Sequence, residues 1–128
     1  MIAPGADDVQ RIAEATRAGF PAPFAGLAAD VRIVVEDWPD DALLEEMDIP
    51  SAYELTGLYD GLALTQRDPS QPEPPSTVTL FRRPILDEWA ERGDVAFDAL
   101  VAHVTVHEFA HHFGWSDDDI AAIDEWWT

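Results

Sequence analysis

All four histidines of the chain, His103, His107, His111 and His112, fall within one stretch of ten residues, and three of them are spaced by four. On a helix that spacing stacks side chains on one face, one turn apart. His107-Glu108-Phe109-Ala110-His111 reads H-E-x-x-H. Two imidazoles so placed can hold one Zn2+ at about 2.0–2.1 Å each, with the glutamate beside the first aimed at the metal's open position. The chemistry served by such a pattern is hydrolysis by a metal-activated water, with Glu108 as the general base. With four histidines in 128 residues, chance would produce the pattern in about one such chain in a hundred, and the spacing has a mechanical reason. Glu108 is also the only carboxylate in the second half of an otherwise apolar segment. Buried without a partner it would be costly, and a solvent-filled cleft removes that objection.

Two histidines leave a catalytic zinc one protein ligand short, because three ligands plus water is the usual arrangement. Asp117 lies three residues past Gly114, whose flexibility lets the chain turn back toward the metal, and the local pattern is H-E-x-x-H-x-x-G-x-x-D. Glu125 is a second candidate. Asp117 also has a plain structural use, stabilising the start of a last helix together with Asp118 and Asp119. His103 lacks a following glutamate in register and reads as a supporting or core histidine. His112 points about 100° away from His111 around a helix, so it is expected to be structural.

The elements that must position these residues are legible in part. Val9, Ile12, Ala13, Thr16 and Phe20 recur at helical spacing behind Asp7 and Asp8, with Gly19 and Pro21 as the stop. Phe24, Leu27 and Ala28 predict a further short turn of helix. Residues 31–35 form a β-branched run that reads as a buried strand. Asp40 is a cap for a short helix carrying Leu43, Leu44 and Met47. Residues 55–59 and 62–64 flank Asp60-Gly61, which predicts a hairpin. Residues 68–76 hold four prolines and no hydrophobic residue, so they read as a solvated loop. Residues 77–82 alternate as a strand, Pro84 opens a helix that Gly93 ends, and Asp94 is a candidate cap for the longest helix, 95–113. That helix is apolar almost all round and is expected to be central and buried. Ser116 and Asp119 can open a last helix bearing Ile120, Ile123 and Trp127.

The length suits one domain spanning residues 1–128. The formal net charge is −19, and all seven basic residues are arginine. A phosphate backbone would be repelled, so nucleic acid is excluded as a partner, and anionic membranes are disfavoured. At 47% hydrophobic residues with five tryptophans, the chain has enough apolar material to fold. Cysteine is absent, which removes disulfides, thiol nucleophiles and cysteine-ligated metals. The first residues lack a basic and apolar leader, so the expected compartment is the cytoplasm.

The block from Val104 to Ile120, VTVHEFAHHFGWSDDDI, resembles the signature of the small bacterial zincin-like metallopeptidases. The segments VRIVVED (31–37), LTGLYDG (55–61) and TLFRRP (79–84) resemble the same family, so the similarity covers most of the chain. The resemblance implies an α+β fold, a small sheet of about three strands packed with several helices, and a central active-site helix. It implies a zinc cofactor held by His107, His111 and Asp117, Glu108 as general base, and peptides or proteins as substrates. Both methionines precede the motif, so no Met-turn follows it, and only about a dozen residues follow Asp117, which predicts a shallow, open site. If the strand at 77–82 lies at the sheet edge beside the cleft, an extended peptide can add to it, with Arg82 or Arg83 meeting a substrate carboxylate. The alternative reading is a metal-binding interaction or regulatory module that cleaves nothing, its zinc closed off by a fourth side chain.

Overall fold

Charge and capping delimit the first helix, α1 (Ala6–Ala18). Asp7 and Asp8 occupy its first turn, where the helix dipole favours negative charge, and the Gly5 N–H donates to Asp8 Oδ2 at 2.8 Å. The computed structural model describes residues 3–68, 70–71 and 75–115. A short α2 (Phe24–Ala28) follows, then β1 (Arg32–Glu36) and α3 (Asp41–Glu46), where Asp40 Oδ1 accepts the Leu43 N–H at 2.8 Å as the expected cap. After β2 (Gly57–Asp60) and β3 (Thr77–Phe81) the chain enters α4 (Arg82–Arg92) and α5 (Phe97–His112). The architecture is α+β, and the sheet has three strands in the order β1-β3-β2.

β1 runs parallel to β3, with Ile33 opposite Val78, and β2 runs antiparallel to β3, with Gly57 opposite Leu80. One face of the sheet presents Ile33, Val78 and Leu80 to the core shared with Val9, Ile12 and Ala13 of α1 and Leu100, Val101, Val104 and Phe109 of α5. Gln10 Nε2 donates to the Ile33 carbonyl at 3.0 Å, so α1 also ties down β1. Arg17 donates to the Val31 carbonyl and pairs with Glu14, which anchors the end of α1 to the entry of β1.

Three expectations are corrected. The hairpin at Asp60-Gly61 does not form. β2 pairs with β3 instead, and residues 62–64 lead into a 3-10 turn at Leu64–Gln66. The Leu62 carbonyl accepts from Arg67 Nε at 2.9 Å, so it is turned to a side chain rather than to a strand ladder. The strand at 77–82 is not an edge but the centre of the sheet. Asp94 does not cap α5. The Val95 carbonyl accepts Trp89 Nε1–H at 2.8 Å, Ala96 takes the cap position without a side-chain bond, and the helix starts at Phe97. Gly93 does end α4, with φ of 77° in the left-handed region that favours glycine. The helix expected from Ser116 onward lies outside the described residues.

Candidate metal centre

α5 is not buried all the way round, although its apolar composition suggested that it would be. Phe97, Leu100, Val101, Val104 and Phe109 enter the core, Val106 is exposed, and His103, His107 and His111 are half-buried. The histidine face lines a cleft of about 590 Å3 whose opposite wall is β2 with the segment just before it, Glu54 to Tyr59. The His107 and His111 rings lie 5.1 Å apart between centroids, at 78° to each other, and the His103 ring is 6.4 Å from that of His107. Glu108 lines the same cleft and is only 8% exposed.

The end of α5 sets the His111 ring. Gly114, at φ of 98°, reverses the backbone, and the Trp115 N–H reaches back to the Ala110 carbonyl at 3.0 Å. This brings the Trp115 carbonyl oxygen to 3.0 Å from His111 Nδ1. A carbonyl only accepts, so Nδ1 is the donor in this contact, and Nε2 is the nitrogen that a metal would use. Such backing of a ligand histidine by a carbonyl is the usual support for zinc. Two imidazoles one helical turn apart, one oriented by a backbone carbonyl, and a carboxylate one residue from the first are donors of the kind a zinc ion takes. Among the described residues no group of three His, Asp or Glu converges as a metal cage. Asp117 and Glu125, the two candidates for the third ligand, lie outside the described residues.

His112 has the structural place expected of it. It is 2% exposed, and both ring nitrogens are engaged. Nε2 faces the Leu27 carbonyl at 3.1 Å and Nδ1 faces the Tyr59 hydroxyl at 2.7 Å. Burial holds this imidazole below its ordinary pKa of 6.5, with the Leu27 carbonyl opposing that shift and the Arg67 charge adding to it. The neutral ring therefore donates from Nε2 to Leu27 and accepts the Tyr59 O–H at Nδ1. Ser76 Oγ lies 2.9 Å from the Tyr59 oxygen and accepts from Arg67 Nη2 at 2.6 Å, so one chain of hydrogen bonds links α5, β2 and the start of β3.

The arginines are not where the sequence reading put them. Arg82 Nε is paired with Asp37 at 2.8 Å and Arg82 Nη1 donates to the Pro4 carbonyl at 2.9 Å, so it is committed to holding α4 against the end of β1. Neither Arg82 nor Arg83 lines the cleft; Arg92 does, paired with Glu88 at 2.9 Å on the last turns of α4. The spacing of Glu88 and Arg92 by four is visible in the sequence, but it reads as an ordinary surface pair. Glu54 and Met47 also line the cleft. Nothing local to those residues announces it, because the cleft wall forms only when β2 pairs with β3.

β2 is the edge of the sheet that borders this cleft. The Phe81 N–H bonds to the Thr56 carbonyl at 2.9 Å. Bonded and non-bonded pairs alternate along an antiparallel ladder, so Gly57 and Tyr59 point their backbone N–H and C=O away from β3. Among the described residues no helix is long and apolar enough to cross a membrane. Compared with known proteins, residues 28–127 match the model of a family described as zincin-like metallopeptidase. No curated protein matches the chain.

Proposed function

Given that the chain belongs to the zincin-like metallopeptidase family, we propose that it hydrolyses peptide bonds with zinc held by His107, His111 and Asp117 and with Glu108 as general base. Membership of the family supports a zinc-dependent peptidase acting on peptides or proteins. The observation that carries the residue assignment is the meeting of His107, Glu108 and His111 on one cleft walled by the sheet edge. When bound, Zn2+ supplies Lewis acidity that polarises a carbonyl and acidifies water. Glu108, buried beside that position, takes the proton of the attacking water and returns it to the leaving amine. His111, backed by the Trp115 carbonyl, presents Nε2 as a ligand without rotating. An extended substrate lies along β2, where the outward N–H and C=O groups of Gly57 and Tyr59 add it as a further strand. In this reading residues 1–128 work as one domain, and the expected compartment is the cytoplasm.

The experiment is zinc content per chain for protein purified without chelators or a metal-affinity tag, together with peptide cleavage. We expect near one zinc per chain, lost in His111→Ala, and cleavage lost in Glu108→Gln. Asp117→Ala should weaken zinc retention far more than Glu125→Ala, and the reverse order would move the third ligand to Glu125. Zinc bound at full stoichiometry with no cleavage of any peptide in a broad library would favour a non-catalytic metal module.

A further inference from the structure

Gly57 is the point at which the edge strand touches the helix of the candidate site. It is buried, and the space where a side chain would begin is already filled. A Cβ built there would lie 2.9 Å from Val104 Cγ1, 3.0 Å from Glu108 Cγ and 3.2 Å from Glu108 Oε2. Real Cβ atoms essentially never sit under 3.0 Å from another heavy atom, so any other residue would force a neighbour to move. The backbone of Gly57 lies outside the left-handed region, so conformational freedom does not explain the glycine. The missing side chain does.

Resting on the reading of Glu108 as general base, we infer that Gly57 is a positioning residue whose lack of a Cβ fixes where the Glu108 carboxylate sits. Two of the three close approaches are to Glu108 itself, one of them to a carboxylate oxygen. The third, Val104, lies one turn earlier on α5 and is 5% exposed, so it cannot yield without disturbing the core. With α5 braced in this way, the group left to move is the carboxylate. The sheet holds the other side of the contact, because Gly57 is in register with Leu80 of the central strand, which is fully buried. The strand that borders the cleft and the carboxylate inside it are thereby set at one distance from each other.

The test is Gly57→Ala in the full chain, read by zinc content, thermal stability, and kcat and KM on a peptide that the wild type cleaves. The expected result is a fall in kcat of about 100-fold, the scale of a misplacement near 1 Å, with zinc content and KM close to wild type. A second variant, Gly57→Ala with Val104→Ala, removes the Val104 contact and leaves both Glu108 contacts. The methyls it deletes lower stability on their own account, and kcat should stay as low as in Gly57→Ala. Return of kcat in that double variant, or a Gly57→Ala enzyme with wild-type kcat, would overturn the inference. Glu108→Gln serves as the control for the premise: if it cleaves as well as wild type, the general-base reading fails, whatever Gly57→Ala does.

Discussion

The contact between α5 and β2 has two ends that are built from similar residues and arranged to different effect. At one end Gly57 faces Glu108 and the His107–His111 pair opens onto a cleft. At the other, Tyr59 and His112 close on each other, and the hydroxyl, both ring nitrogens and Ser76 Oγ are all bonded inside the protein. His111 and His112 are neighbours in the chain, yet one belongs to each end. The difference shows how a small domain can hold reactive groups in an open cleft. Polar atoms that are satisfied inside the protein rigidify it, so the sealed end can fix the spacing of strand and helix beside the cleft that His107 and His111 line.

That contrast predicts a hierarchy of effects. Glu108→Gln should produce the largest change in activity, a loss of about 10²–10⁴-fold in kcat/KM, with zinc content unchanged in the same preparation. Exchanging the two adjacent histidines one at a time should then separate metal binding from stability. His111→Ala should lose zinc with little effect on the metal-free fold, whereas His112→Ala should keep the metal and lower unfolding free energy by roughly 2–4 kcal/mol. Zinc loss in both variants, measured by metal analysis, would break the distinction between the two ends.

Tyr59→Phe is a finer probe. It deletes one hydroxyl and leaves His112 Nδ1 buried without its donor, for an expected cost of about 1–3 kcal/mol in denaturant unfolding. The smallest effect is expected far from both ends, at Asp37. The hydrogen bond from Arg82 holds this exposed carboxyl below its ordinary value of 3.8, against a smaller opposing effect of desolvation and with the Arg82 and Arg83 charges adding to the shift. A lowered pKa in the folded state means that the contribution is present above pH 3.8 and lost as pH falls through the lower folded value. The small Tm difference between wild type and Asp37→Asn should therefore persist at pH 5 and close in strong acid. A gap that widened on acidification would reverse the sign argued here.

Much of the frame could be read from the chain because the signals were local. Acidic residues in the first turn and a glycine stop marked α1, Asp40 marked the start of α3, and Gly93 marked the end of α4. The hairpin at Asp60-Gly61 misled for a physical reason. A two-residue turn is a local preference, and it lost to the long-range pairing of β2 with β3 and to the capture of the Leu62 carbonyl by Arg67. Asp94 misled in the same way, because Trp89 had already claimed the carbonyl on which an earlier helix start depends.

The sequence by itself determined the spacing of His107, Glu108 and His111, the separate direction of His112, the absence of thiol chemistry and the strongly acidic charge. These follow from residue identity and from the 3.6-residue turn, which needs no partner element. Only the tertiary structure decided which strand borders the site, that Arg92 rather than Arg82 lines it, and that Gly57 leaves room for the Glu108 carboxylate. Each of those depends on two segments far apart in the chain meeting at a distance set by packing, and no local pattern carries that distance.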